Sequence, residues 1–133
     1  MAERKPYRRR PETAVTAVRL DLDTDGITYR KWGAVQRSKP GDWLVDNDGD
    51  VYTVDADVFA RTYREIAPGR FEKQGLVWAE RADSPGAIAT KEGSTEYAAG
   101  DMLVFNDEAG EDGWAMSAER FARLYEPEGP PEE

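Results

Sequence analysis

Alternating apolar and polar positions predict short β-strands along most of this chain. Val18, Leu20 and Leu22 alternate with charged residues, a pattern typical of a strand with one face in solvent. Further strands are predicted at 27–31, 35–38, 43–45 and 51–54. Asp48-Gly49 favours a hairpin turn between the last two. Pro40-Gly41 favours a type II turn, which requires a positive φ at the glycine.

Helical spacing appears only in two short segments. In the first, the apolar face is Val58, Phe59, Thr62 and Tyr63, with Asp55 as N-cap and Asp57 in the first turn. In the second, the face is Phe121, Leu124 and Tyr125, with Ser117 as N-cap and Glu119 in the first turn. Each helix is therefore expected to close a run of short strands.

The chain contains two copies of one unit of about 55 residues. The matches are Gly41-Asp42 with Gly100-Asp101, Leu44-Val45 with Leu103-Val104, Asn47-Asp48 with Asn106-Asp107, Phe59-Ala60-Arg61 with Phe121-Ala122-Arg123, and Tyr63 with Tyr125. Upstream, Lys31 and Gly33 match Lys91 and Gly93. The predicted organisation is a basic arm at 1–13, repeat 1 at 14–67, repeat 2 at 68–127 and an acidic, proline-rich tail at 128–133. Units this small barely support their own cores, so the repeats are expected to pack as one compact body.

These patterns together predict an α+β fold. Each of the two tandem repeats would be a small curled antiparallel sheet of about four to five strands that ends in one short α-helix.

The amino-acid composition excludes several kinds of reactive site. The 133 residues include no histidine and no cysteine, which excludes disulfides, thiolate sites and the commonest general base. The expectation is therefore a protein that is not an enzyme and has no cofactor. No secretory signal or membrane-spanning run is visible, which favours a cytoplasmic location.

Charge is unevenly distributed along the chain. The net charge is −9, but residues 1–10 carry five cations against one acid. The acidic remainder disfavours direct nucleic-acid binding, and the basic arm is expected to be a short solvated tail.

The aspartates in LDLDTDG raise the question of a metal site. Asp21, Asp23, Asp25 and Gly26 fit the first half of a calcium loop, but the twelfth position is Trp32, which cannot ligate. The alternation favours a strand with solvated aspartates and a turn at Asp25-Gly26. The sequence therefore predicts no metal site, with the three aspartates as the weaker alternative.

Five residues are candidates for ligand contact. Lys31 and Lys91 recur in the repeats without an evident folding role, and Arg61 and Arg123 recur on the helices. Trp32 is the tryptophan expected to be most exposed, whereas Trp43, Trp78 and Trp114 lie in predicted strands. The motif residues expected to serve turns and helix packing are Pro40, Gly41, Asp42, Gly100, Asp101, Phe59, Tyr63, Phe121 and Tyr125. Asp42 and Asp101 are expected to cap their turns.

The order of these motifs resembles an uncharacterised family of short phage and prophage proteins with a Pro-Gly-Asp-Trp, or PGDYG-type, signature. The residues that carry the resemblance are Tyr7, Arg8, Arg9, Arg10 and Pro11, then Pro40-Gly41-Asp42-Trp43, then Phe59 and Tyr63. Repeat 2 matches through Lys91-Glu92-Gly93, Ala99-Gly100-Asp101, Phe121 and Tyr125, with Ala99 in place of proline. The resemblance implies this fold, as a tandem duplication, and a phage-linked context, but no catalytic residues.

Three functions are compatible with the sequence. The first is a non-catalytic binding module that holds a small anionic molecule, such as a nucleotide, in a cleft between the repeats. The second is an acidic, DNA-mimic-like module that binds a host protein. The third is a carboxylate–metal enzyme using Asp21, Asp23, Asp46 or Asp48. The sequence does not decide the oligomeric state.

Overall fold

The computed structural model describes residues 4–11 and 13–128. These residues form fourteen strands and two helices, and the turns between them are short. In chain order the elements are β1 (Lys5–Arg9), β2 (Val15–Arg19), β3 (Ile27–Lys31), β4 (Ala34–Ser38), β5 (Trp43–Asn47), β6 (Asp50–Val54), α1 (Ala56–Thr62), β7 (Tyr63–Ala67), β8 (Arg70–Lys73), β9 (Leu76–Arg81), β10 (Gly86–Ala89), β11 (Ser94–Tyr97), β12 (Met102–Phe105), β13 (Gly113–Met116), α2 (Ala118–Leu124) and β14 (Tyr125–Pro127).

The strands form two five-stranded sheets and two separate hairpins, all with antiparallel pairing. The first sheet has the order β6-β5-β2-β8-β7, and the second sheet has the order β13-β12-β9-β1-β14. The hairpins are β3–β4 and β10–β11. In chain order, β3–β4 lies between the paired strands β2 and β5, and β10–β11 lies between the paired strands β9 and β12.

The two sheets have corresponding strands, and β1 occupies in the second sheet the place that β8 occupies in the first. The corresponding pairs are Phe71 with Val15 and Tyr7 with Val77 on one side, and Lys73 with Tyr63 and Arg9 with Tyr125 on the other. The N-terminal strand is thus the counterpart of a strand from the middle of the chain. Residues 68–69 form the turn of the β7–β8 hairpin, so both strands around that segment belong to the first sheet.

The prediction that the basic N-terminal arm is a solvated tail is wrong. Lys5–Arg9 is a strand between β9 and β14, and the Arg9 side chain is buried. The basic residues of this segment suggested a solvated tail, but their side chains form ion pairs. Arg8 pairs with Glu126 at 3.0 Å, and Arg4 pairs with Glu80 at 2.9 Å. Of the predicted tail at 128–133, only Glu128 lies within the described residues.

The predicted α+β class is also wrong. Strands account for 52% of the described residues and helices for 11%, so the fold is mostly β, and neither half ends in its helix. Each helix has only seven residues and leads directly into a strand, β7 or β14, which returns to the sheet. Tyr63 and Tyr125, assigned to helix faces from spacing, are the first residues of those strands. The described helices are all too short to cross a bilayer.

One apolar core lies under each sheet, with the short helix as its cover. In the first, Val15, Val45 and Phe71 pack against Phe59 of α1, whose ring stacks on Trp43 at 4.2 Å between centroids. In the second, the corresponding residues are Val77, Val104 and Phe121, with Tyr7 edge-on to Phe121 at 4.8 Å. Each buried side chain of this size contributes about 1.5–3 kcal/mol, so the helices are held by packing more than by their own propensity.

Local signals correctly placed the turn at Pro40-Gly41 and the start of α1. Gly41 has a φ of +86°, and the Asp42 N–H donates to Lys39 O, which confirms the turn predicted at Pro40-Gly41. Asp42 is fully buried, and its carboxylate also accepts from the Ala56 N–H at 3.0 Å, so it links this turn to α1. The Asp55 carboxylate accepts from two amides of the first turn of α1, which confirms the predicted N-cap.

The predicted strand through Leu22 is wrong. β2 ends at Arg19, and Leu22 is 59% exposed in the loop that follows. Alternation over so few residues does not require a strand where neither face gains burial.

Candidate functional site

A cleft of about 290 Å³ lies where the two sheets and the two hairpins meet. Its lining includes side chains from β6, β7, β8, β13 and β14, together with the tips of both hairpins. Four corresponding pairs of residues face it from the two sheets: Asn47 and Asn106, Asp50 and Asp112, Tyr52 and Trp114, Tyr63 and Tyr125. The cleft is therefore built from the same positions of both halves.

Backbone hydrogen bonds join the two hairpins at the cleft. The Arg37 N–H donates to Glu92 O at 2.6 Å, and the Glu96 N–H donates to Trp32 O at 3.0 Å. These bonds place Trp32, at the tip of β3–β4, and Glu92, at the tip of β10–β11, in the lining. The two tips occupy corresponding positions, but the first contributes the Trp32 ring to the lining and the second contributes the Glu92 carboxyl group.

Trp32 has an unusual backbone conformation for its residue type. Its φ is +55° and that of Gly33 is +78°, as in a type I′ turn, which favours asparagine or glycine at the first position. The Trp32 ring lies 5.6 Å from the Tyr52 ring between centroids, so the strained turn directs an aromatic side chain towards the cleft. Strain of this kind persists where the surrounding structure holds the residue in place.

Lys73 is the buried cation of the lining. Its side chain lies between two rings, with Nζ 4.9 Å from the Tyr63 centroid and 5.1 Å from the Trp114 centroid. Lys73 forms no ion pair with another described residue. Burial lowers the pKa of Lys73 to about 7; repulsion from Arg9 adds to this, and Asp112 partly offsets it.

Glu92 shows the opposite effect on a carboxyl group. Its Oε2 accepts from the Asp55 N–H at 3.0 Å, so it joins hairpin β10–β11 to the start of α1. Burial raises the pKa of Glu92 to about 7, against the lowering effect of its backbone hydrogen bonds. A lysine and a glutamate that both titrate near neutral pH in one cleft are typical of functional sites.

Two buried polar atoms of the lining have no hydrogen-bond partner among the described residues. They are Thr95 Oγ1 and Asn106 Oδ1. Thr95 as a whole is only 3% exposed. Because unpaired buried polar atoms are costly, these two atoms are groups of the lining for a water or a bound molecule to satisfy.

Acidic side chains outnumber basic ones in the lining. Six carboxyl groups face the cleft, from Asp50, Asp55, Glu92, Glu96, Asp101 and Asp112, against the cations of Lys73, Lys91 and Arg120. Some of the acids are already paired: Asp50 with Lys31 at 2.8 Å, and Asp55 with Lys39 at 2.9 Å. Most of the cleft surface is apolar, with five aromatic rings in the described walls, and acids predominate among its charged groups.

The five candidate ligand residues do not lie together in the structure. Trp32 and Lys91 line the cleft, whereas Lys31 forms its ion pair with Asp50 and is not part of the lining. Arg61 is exposed on α1, and Arg123 faces a separate depression beside Asp46 and Asp48. Of the motif residues, Asp101 and the tyrosines Tyr63 and Tyr125 also face the cleft.

The aspartates considered for calcium lie apart from the cleft. Asp21, Asp23 and Asp25 are exposed in the loop between β2 and β3, which contains a bend at 23–25 instead of a hairpin turn at Asp25-Gly26. Within 4–11 and 13–128, no three acidic side chains lie close enough together to hold a metal ion.

Sequence reasoning missed Lys73, Thr95 and Asn106 as residues of the site. Asn47 and Asn106 were visible as a repeated residue, which is a usable signal, because both begin the turn of an edge hairpin. Lys73 belongs to no motif, and its counterpart Arg9 is distant in sequence, so only strand pairing reveals the relation.

The comparisons with known proteins give no family for this chain. A scan against protein-family models, a search of curated proteins and a search of solved structures found no match. The function is therefore argued from the geometry of the cleft.

Proposed function

We propose that this protein is a non-catalytic binding module that holds a small planar molecule in the cleft between its two sheets. The observation that carries the proposal is the combination of five aromatic rings with two unpartnered polar atoms, Thr95 Oγ1 and Asn106 Oδ1. Rings bind a planar ligand by stacking, and isolated polar atoms in apolar walls fix its orientation. The cleft volume of about 290 Å³ is near the lower end of the range for small-molecule sites.

The charge of the lining favours a neutral or cationic ligand. Three more acids than bases face the cleft, and a multiply charged anion such as a nucleotide would have to overcome their repulsion. The lysines expected to attract an anion are not both available, because Lys31 is bonded to Asp50. We therefore replace the anionic ligand expected from the sequence with an uncharged or positive one.

Binding is favoured over carboxylate–metal catalysis because the acids are separately engaged. Asp50 and Asp55 pair with lysines, and Asp112 accepts from the Asn106 amide at 3.0 Å. A carboxylate–metal site would require several carboxylates directed at the same ion.

An internal duplication accounts for the corresponding strands and for the paired residues of the lining. In this proposal the halves diverged at the hairpin tips, where Trp32 faces Glu92. The phage-linked context and the cytoplasmic location expected from the sequence stay predictions.

Native mass spectrometry of the protein purified gently from its own cells tests the proposal. We expect a small mass that is retained under native conditions and lost on denaturation. Trp114→Phe should reduce its retention, because this ring lines the cleft. Trp78→Phe is the matched control, because Trp78 lies in β9 outside the lining.

Equal retention by both variants would contradict the cleft as the binding site. A bare chain that retains a host protein only at low salt would instead favour the acidic interaction module. Melting temperatures of both variants verify that each is folded.

A further inference from the structure

The two asparagines of the cleft differ in how their amide groups are satisfied. In the first sheet, Asn47 Nδ2 donates to the Tyr52 hydroxyl at 3.2 Å, and Asn47 Oδ1 accepts from Arg9 Nη2 at 2.9 Å. The Arg9 guanidinium also lies over the Tyr125 ring, 5.4 Å from its centroid. This half of the cleft is therefore closed by a side chain of the protein itself.

In the second sheet, the corresponding asparagine is only half satisfied. Asn106 Nδ2 donates to Asp112 Oδ2 at 3.0 Å, and Asn106 Oδ1 has no partner among the described residues. The orientation of the amide is fixed, because an ionised carboxylate can only accept a hydrogen bond and must therefore face Nδ2. The free oxygen is directed away from Asp112.

Lys73 explains the difference between the halves. It occupies on β8 the position that Arg9 occupies on β1, opposite Tyr63 and Tyr125 respectively. Lysine ends in a single amine, whereas the forked guanidinium of Arg9 can cover a ring and still reach the asparagine. An amine donor over the Trp114 ring and an unpaired amide oxygen of Asn106 thus remain in the lining of this half.

We propose that this half of the cleft recognises the amide edge of a planar ring. In this arrangement, a ring carbonyl accepts from Lys73 Nζ, the adjacent ring N–H donates to Asn106 Oδ1, and the ring lies among the aromatic side chains of the cleft. The inference rests on the proposed function and specifies its ligand class: an uncharged heterocycle with a carbonyl next to an N–H, as in lactams and pyrimidine bases. Such a molecule suits a net acidic lining better than an anion does.

Titration with uracil and with 1,3-dimethyluracil, followed by NMR shifts of the cleft residues, tests the proposal. Uracil should bind, and its dimethyl analogue should bind at least about tenfold more weakly, because it leaves Asn106 Oδ1 unpaired. Equal affinity for the two compounds, or no shift with uracil at millimolar concentration, would overturn the proposal.

Lys73→Arg provides the complementary test. The new guanidinium should donate to Asn106 Oδ1 as Arg9 does to Asn47, so uracil binding should be lost while the melting temperature is kept or raised. Lys5→Arg is the matched control, since Lys5 is exposed on β1 outside the lining, and it should bind as the wild type does. Unchanged uracil affinity in Lys73→Arg would overturn the proposal.

The experiments distinguish failure of the ligand class from failure of the binding module. If uracil does not bind but the native mass is retained and is sensitive to Trp114→Phe, the binding module stands and the amide-edge ligand does not. If neither uracil compound binds and native mass spectrometry finds no retained molecule, both proposals are contradicted.

Discussion

At the scale of single residues, the cleft places two buried ionisable groups with opposite pKa shifts in one structure. Lys73 is shifted to about 7 from 10.5, and Glu92 to about 7 from 4.5. In both, burial is the main cause, because it disfavours the charged form of either group. Their effects on stability therefore act on opposite sides of neutral pH.

The free energy of unfolding is expected to pass through a minimum near pH 7. Between about 4.5 and 7 the folded chain keeps a proton on Glu92 that the unfolded chain releases, so stability falls as pH rises. Between about 7 and 10.5 the unfolded chain keeps a proton on Lys73 that the folded chain has released, so stability rises. Urea unfolding across this range measures both slopes.

Two variants separate these contributions. Lys73→Met should abolish the rise above pH 7, and Glu92→Gln should abolish the fall below it. If Lys73→Met keeps the full rise, the amine does not titrate as its burial implies.

At the scale of elements, the hairpin tips show where local preference and tertiary structure disagree. Asp48-Gly49 and Trp32-Gly33 both have positive φ at both residues, as in a type I′ turn. Aspartate followed by glycine is a favoured sequence for this turn, and the structure places the turn there as predicted. Tryptophan is not favoured, so contacts beyond the turn must hold Trp32 in place.

Trp32→Asn should weaken ligand binding while changing the free energy of unfolding by less than about 1.5 kcal/mol. Asparagine suits the turn, which offsets the lost packing of about 0.5–1.5 kcal/mol on Tyr52. Native mass spectrometry and urea unfolding together check both parts. Asp48→Asn is the matched control at the same turn position, outside the lining, and should change neither quantity. A large loss of stability in Trp32→Asn would give Trp32 a structural role instead.

At the scale of the whole molecule, the chain crosses between its halves at the N-terminus. β1 completes the second sheet between β9 and β14, and the next strand, β2, lies in the first sheet. Arg9 adds a bond from β1 to Asn47 of the first sheet. The halves are therefore joined by the chain that runs from β1 to β2 and by the buried Arg9 side chain.

Removal of residues 1–9 should abolish cooperative unfolding of the second sheet. Loss of β1 leaves β14 without a partner strand, leaves β9 paired only with β12, and removes Tyr7 from Phe121. A synthetic peptide of residues 4–11 should restore the transition by adding the missing strand, whereas the same peptide with Tyr7→Asp should not. Circular dichroism during urea unfolding measures both, and an unchanged transition in the truncated chain would contradict the structural role of β1.

Much of the local structure follows from the sequence alone. The turns at Pro40-Gly41 and Asp48-Gly49, the caps at Asp55 and Ser117, and the alternating strands depend on residues within a few positions of each other. Short-range sterics and hydrogen bonds decide such features, so the pattern is sufficient to predict them.

The tertiary structure alone decided the fold class and the content of the cleft. The sequence could not indicate that a basic N-terminal segment pairs as a strand, because strand pairing joins residues such as Arg9 and Tyr125 across almost the whole chain. The shifted pKa of Lys73 and the unpaired oxygen of Asn106 likewise depend on which distant groups surround them. Burial and hydrogen-bond satisfaction are properties of the folded assembly of strands, whereas turns and caps are properties of neighbouring residues.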